Sequence, residues 1–419
     1  MSLDLSRSTA VVVSPVRFGI IALALLVAGC EMPAPPRRRP QVEPPDVPLI
    51  DGGTRRCALR ADAPAEVSRG ADPGRMRIAW NGEHWAVVWS EVIDDEPAVF
   101  FARLDADGRR PRPPLRVSER RTYASAPAVC WNRTGWSVFF TGGLREVGDI
   151  YQARVTSRGS AVGRPWRMTR GDRLDLDPAV ATSSNATGLV WTARDADQRW
   201  SLYGEVLDQW DRPSAPLTLM RNSSLALGPT ELTWTGREWA AAYVTAGREV
   251  FGIELARLDA VGRMHGSVQR MTDTRIGDVS NERRFAIAWN GQRYGLAWSE
   301  LRDGERQLFF RWVSAHGNAM GEARRIGIDS DVSSAPALVS VNDGTLVMAW
   351  ESEREGDRRV AVAVLDEEGT PQREPVTLRG VEGVATQPTL AVSADAVGVA
   401  TRSSRGISFH RITLGNCRR

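Results

Sequence analysis

The 419 residues carry 54 basic and 51 acidic side chains, and every basic one is arginine. A chain without lysine has no Schiff-base, phosphate-gripping or general-base lysine to offer, and charges this evenly mixed leave no basic footprint for nucleic acid. The 42% apolar content is ordinary, but 15 Trp beside 5 Tyr is not, and the indoles need an account.

At the N-terminus, Arg7 and Arg17 precede the apolar run "FGIIALALLVAG", which stops at Cys30. That run is about half the ~20 residues of a membrane span, so residues 1–29 read as a secretory signal peptide. "LLVAGC" resembles the bacterial lipobox, which implies a diacylglycerol on Cys30 and cleavage just before it. Glu31 stands where an aspartate would retain such a protein at the inner membrane, so the expected destination is the outer membrane. Residues 30–55 read as the lipidated Cys plus a tether. Seven prolines between 33 and 48 exclude helix and sheet interior and favour an extended spacer. The membrane, reached through that lipid, is one expected partner.

The rest, 56–419, is repetitive. "IAWNGEHWAVVWSE" (78–91) returns as "IAWNGQRYGLAWSE" (287–300). Aligned on the residue that closes "AVVW", the copies place Trp89, Phe140, Trp191, Tyr243, Trp298, Trp350 and Ala400 in register, 50–55 residues apart. Each copy has a short apolar run, usually after Pro, then an Asn or Gly turn. An alternating run ends at the register residue, a polar loop follows, and a third run such as "FARLD" leads to a Gly turn. A fourth run carries Val117, Met168, Met271, Ile326 or Leu378 nine residues past that Gly. Four short alternating strands at this period predict an all-β fold, a seven-bladed β-propeller of four-stranded blades. The indoles are then filling between adjacent sheets.

The seventh copy lacks a fourth strand, and "PAEVSRGADPGRMRIAW" aligns with "PPLRVSERRTYASAPAVCW", so Val67 matches Val117. Residues 64–69 are therefore expected to complete the last blade, a closure that resembles the one used by WD-repeat propellers. The same count places Cys57 and Cys417 at one turn of that blade and predicts a disulfide between them. Cys130 falls on an innermost strand and is expected to be buried and unpaired.

Catalytic signatures are sparse. No His-Glu-x-x-His, paired Cys-x-x-Cys, Gly-x-Ser-x-Gly or Walker pattern occurs. The four His, at 84, 265, 316 and 410, are scattered. "LDADG" (104–108) lacks the ligand spacing of a calcium loop or of a sialidase Asp-box. Its counterparts "LDAVG" and "LDEEG" mark it as a turn in which Asp accepts from backbone N–H groups. No catalytic residue, metal or cofactor is assigned. The loops after the second strands carry Glu91, Asp94, Asp95, Asp303, Glu305, Glu353 and Asp357, an acidic rim that would face a cation or basic partner.

These repeats resemble a diffuse group of secreted bacterial propeller proteins with the pattern W-N-G-x-x-Y-x-V-x-W, carried here by the two quoted stretches and by "DIYQARVTSRG" (149–159). The resemblance implies the fold and little about activity. The expected role is a monomeric, non-enzymatic binding or scaffold module with a protein or glycan ligand. The alternative is a carbohydrate-active hydrolase or lyase with acids at the channel mouth.

Overall fold

A computed structural model describes residues 58–415 except 71–72, 145–146, 215–216, 247–250, 273–284, 303, 328–330 and 382. All of them belong to one compact unit, Gly53–Arg419. Residues 1–57 and 416–419, with Cys30, Cys57 and Cys417, lie outside the described residues, as does Asp303.

The described elements are all strands, arranged in seven antiparallel sheets. Blade 1 comprises Met76–Trp80, Trp85–Ile93, Glu96–Leu104 and Leu115–Arg116. Blades 2 to 6 repeat that order, and the first strand of each blade neighbours the first strand of the next. The first strand of blade 7, Thr386–Val392, returns to that of blade 1. The ring is closed, with seven first strands around a central channel.

The seventh blade is completed as expected. Ala65–Arg69 pairs with Gly406–Gly415, the third strand of that blade, and Val67 sits at a bulge there, fully buried. A second piece, Ala58–Ala61, continues the same edge, with Ala58 opposite Gly415 and Ala61 opposite Ile412. The outer strand is thus in two segments around 62–64. Closure by a strand from the other end of the chain covers the edge of Gly406–Gly415 and leaves only a short, interrupted outer edge on this blade.

Local chemistry accounts for the repeat. All seven register residues lie on second strands. In four blades the aromatic stacks on a ring of the third strand: Trp89 on Phe100, Phe140 on Tyr151, Trp191 on Tyr203 and Trp298 on Phe309, with centroids 5.8–5.9 Å apart. A second aromatic layer lies at the opposite end of the strands, where Trp80 meets Trp85 and Trp234 meets Trp239. The indoles of these layers are core, whereas Trp166 and Trp210 are exposed, and such offset pairs contribute about 0.5–1.5 kcal/mol each beyond area burial.

The first-to-second turns are built by an acceptor side chain. Asn81 Oδ1 takes the N–H groups of Glu83 and His84, and Asn290 Oδ1 those of Gln292 and Arg293. The "LDADG" segments behave as turns too. Asp105, Asp259 and Asp366 accept from the residues two and four positions on, and Gly108, Gly262 and Gly369 take φ of 83–86°. In three blades a hydroxyl just past the fourth strand takes over from the ladder. Ser118, Thr169 and Thr272 each accept the third-strand N–H, of Val99, Ile150 and Ile253.

Candidate functional site

Every blade runs its first strand from one face, which carries the fourth-to-first and second-to-third connections, to the other, which carries the two turns just described. The first face holds the channel mouth. A cavity of about 700 Å³ opens there, lined by the entering ends of first strands in six blades and by the leaving ends of second strands. Below it a chamber of about 320 Å³ is walled by all seven first strands.

Proline decides the shape of the mouth. Pro127, Pro178, Pro229, Pro336 and Pro388 enter the first strands of blades 2, 3, 4, 6 and 7, and the pairing register slips at each of them. A proline has no N–H to give the ladder, so within a sheet it sits at a bulge. The residue before it is Ala126, Asp177, Ala335 or Gln387 in four blades, at φ of 45–54°. Left-handed backbone at a non-glycine residue costs about 1–3 kcal/mol, and all four line the mouth. Neighbouring blades offset this by hydrogen bonding. Asp177 N–H donates to Thr141 Oγ1 at 3.2 Å, Gln387 N–H to Glu351 Oε2 at 3.3 Å, and Thr230 Oγ1 donates to Asp177 O at 2.7 Å.

Charge enters the channel at two levels. Opposite the residue before the register aromatic, the first strands carry Ala128, Ala179, Ala286, Ala337 and Leu390 in blades 2, 3, 5, 6 and 7. In blades 1 and 4 the same position holds Arg77 and Glu231. Their side chains meet at 3.0 Å between blades three apart, each about one-seventh exposed. The alanines leave the room that lets the pair span the channel. One level up, Arg75 reaches Asp177 of blade 3 at 2.8 Å. Arg402, on the second strand of blade 7, donates to Pro73 O at 2.7 Å.

The repeated "WSE" has a chemical reason. Trp89 Nε1 donates to Glu91 Oε2 and Trp298 Nε1 to Glu300 Oε2, each at 3.0 Å. In blade 3 the acceptor is Asp175 of the first strand, at 3.1 Å from Trp191 Nε1. Burial raises the Asp175 carboxyl above the ordinary range, against the hydrogen bonds and the Arg173 charge that favour its ionised form. In blade 4, Tyr243 Oη donates to Glu254 at 2.8 Å, and burial, reinforced by that carboxylate, pushes the phenol up.

The proposed rim acids sit apart from the mouth. None of the six described ones lines it. Glu91 is held by its indole. Asp94 and Asp95 form a two-residue hairpin with φ of 52° and 61°, the type I′ geometry that Asp tolerates. Glu353 pairs with Arg358 at 2.9 Å, and Asp357 takes two bonds from Arg379 at 2.8 and 2.6 Å. Those bonds hold the Asp357 carboxyl below its usual range. Glu305 is exposed at the start of the blade 5 third strand. Cys130 is buried and free.

The central charges escaped sequence reading, although a signal existed. Stacking the seven repeats position by position shows Arg77 and Glu231 as the charged departures from an alanine column.

No protein-family model matches this chain, and no curated protein does. Among solved structures, a subtype N10 neuraminidase-like protein of A/little yellow-shouldered bat/Guatemala/060/2010 superposes with a TM-score of 0.49 at 6% identity, over 73% of this chain and 97% of that one. An acylaminoacyl peptidase of Pyrococcus horikoshii gives 0.48 at 10% identity, over 81% of this chain and 51% of that one. A prolyl endopeptidase gives 0.47 at 12%, over 81% and 47%. At these values the likenesses carry no argument about activity.

Proposed function

We propose that this chain is a lipid-anchored protein of the bacterial outer membrane whose propeller acts as a non-enzymatic binding module, with the channel mouth as its ligand site. One observation carries the reading. The mouth is a basin of about 700 Å³ with strained, bulged backbone around its wall, and strain held by a surrounding structure concentrates at sites of recognition. The acids of the mouth and of the chamber below it are committed to arginines of blade 1: Asp177 to Arg75 and Glu231 to Arg77. That arrangement braces a receptor. The lipobox-like "LLVAGC" and the proline tether supply the anchoring part of the reading.

The hydrolase alternative would use Asp177 and Glu231 as its carboxylate pair, since they stand on adjacent blades in the channel. A glycan and envelope-protein binding screen on the chain from residue 50 onward separates the two. Retained, unprocessed ligand that is displaced when Trp200 at the mouth is changed to Ala supports the receptor. Product release that Asp177→Asn and Glu231→Gln both abolish would replace it with the enzyme. An empty screen would overturn the binding reading.

A further inference from the structure

Guanidinium groups outnumber carboxylates around the mouth basin. Three guanidinium groups line it, those of Arg75, Arg77 and Arg402, against the single carboxylate of Asp177. Arg75 is engaged by Asp177 and Arg77 by Glu231 below. Arg402 differs. It donates to one backbone carbonyl, Pro73 O at 2.7 Å, and among the described residues no carboxylate accepts from it. A guanidinium has five N–H donors, so most of its capacity remains.

Arg402 is also a departure from the repeat. Two residues past the register position, blades 1 and 5 place Glu91 and Glu300, each accepting from an indole. Blade 7 has Ala400 in place of the aromatic, so no indole needs an acceptor, and the position carries the opposite charge. Where Glu91 and Glu300 lie away from the basin, Arg402 lines it, as Trp200 of blade 3 does.

We propose that the basin binds a carboxylate-bearing ligand, with Arg402 as the anchor for the carboxylate and Trp200 as a wall for the body of the molecule. This rests on the reading of the mouth as the ligand site. The planar fork of arginine matches a carboxylate edge, and a concave, low-dielectric basin focuses that field. The basin already seats one carboxylate on an arginine, Asp177 on Arg75. A dianionic phosphate would meet more repulsion from Asp177 than a singly charged carboxylate does.

The test is calorimetric titration of the full chain in detergent with three probes: a glucuronic acid-containing disaccharide, its carboxyl-reduced counterpart and inorganic phosphate. The acidic sugar is expected to bind, and to bind more weakly as salt rises. Reduction of its carboxyl is expected to weaken it by about ten- to a hundredfold, as is usual for a lost hydrogen bond to charge. Arg402→Met is expected to lose the same factor and Arg402→Lys part of it. Equal binding of the acidic and reduced sugars overturns the proposal, as does an unaffected Arg402→Met or a phosphate that binds more tightly than the acid. The comparison of probes on the unmodified chain stands even if Arg402→Met does not fold. A reduced sugar that binds as well as the acid, and is lost in Trp200→Ala, would sink the carboxylate assignment while sparing the mouth as a binding site. No binding by any probe sinks the assignment, and the receptor reading falls with it only if the wider screen is also empty.

Discussion

The Arg77–Glu231 bridge makes the most exacting prediction, because it joins blades through the channel where no backbone pairing does. At 3.0 Å and an effective dielectric constant of about 20, two unit charges attract by roughly 5 kcal/mol, much of which is offset by their desolvation. Removing one partner of a buried pair costs about 3–5 kcal/mol, chiefly because the survivor is left uncompensated. Here each side chain keeps 13–14% exposure, and Arg77 also donates to Met76 O. About 2 kcal/mol is therefore the expected loss for Arg77→Met or Glu231→Leu alone, below the range for a fully buried pair. Over the roughly 330 described residues that loss lowers the unfolding midpoint by about 3 °C. The double variant puts two apolar side chains into the alanine layer and should lie within about 1 kcal/mol of the parent, which against two single losses of about 2 kcal/mol is a coupling of about 3 kcal/mol or more. Urea unfolding followed by tryptophan fluorescence, checked by thermal scans at a fixed rate, reads all four proteins. A double variant that falls by the sum of the singles, or singles that unfold at the parental midpoint, would refute the reasoning.

Four other outcomes are expected. Ala58 and Gly415 are paired and stand one and two residues from Cys57 and Cys417, so non-reducing peptide mapping should find those cysteines joined, and reduction should cost about 2–4 kcal/mol; two free thiols in protein taken from the envelope would count against it. Burial lowers His410 from 6.5 to about 4. Because the folded value is the lower one, the unfolded chain binds the proton first, so the stability present above pH 6.5 drains away between 6.5 and 4, by up to about 3 kcal/mol. Denaturant midpoints across that window should be flatter in His410→Leu. Cys30→Ala should lose the lipid mass and membrane partition, and unchanged partition would end the anchoring claim. Asp94→Asn with Asp95→Gly suits the observed type I′ turn, so stability should hold or rise by a few tenths of a kcal/mol; a ligand lost in that variant would restore a recognition role to the rim.

What the amino-acid order alone determined is local or periodic. Blade number, strand order, the Asn and Asp turns and the identity of the closing strand each rest on residues within about ten positions of one another, written seven times. Repetition averages out the noise of any single copy, and turn chemistry acts through the backbone next to it. Even the proline before the first strands was legible, though not its effect, since a bulge exists only once a partner strand defines the register it breaks. The site itself was decided by tertiary structure. Arg75 and Asp177 are 102 residues apart and Arg77 and Glu231 are 154 apart, and nothing local relates them. They meet because closing seven twisted sheets into a ring brings the first strands of blades 1, 3 and 4 around one axis. Arg402 shares its place in the repeat with Glu91 and Glu300, but those two are held by their indoles away from the mouth that Arg402 lines. A repeat can announce its own geometry, but its departures acquire partners only when the ring is shut.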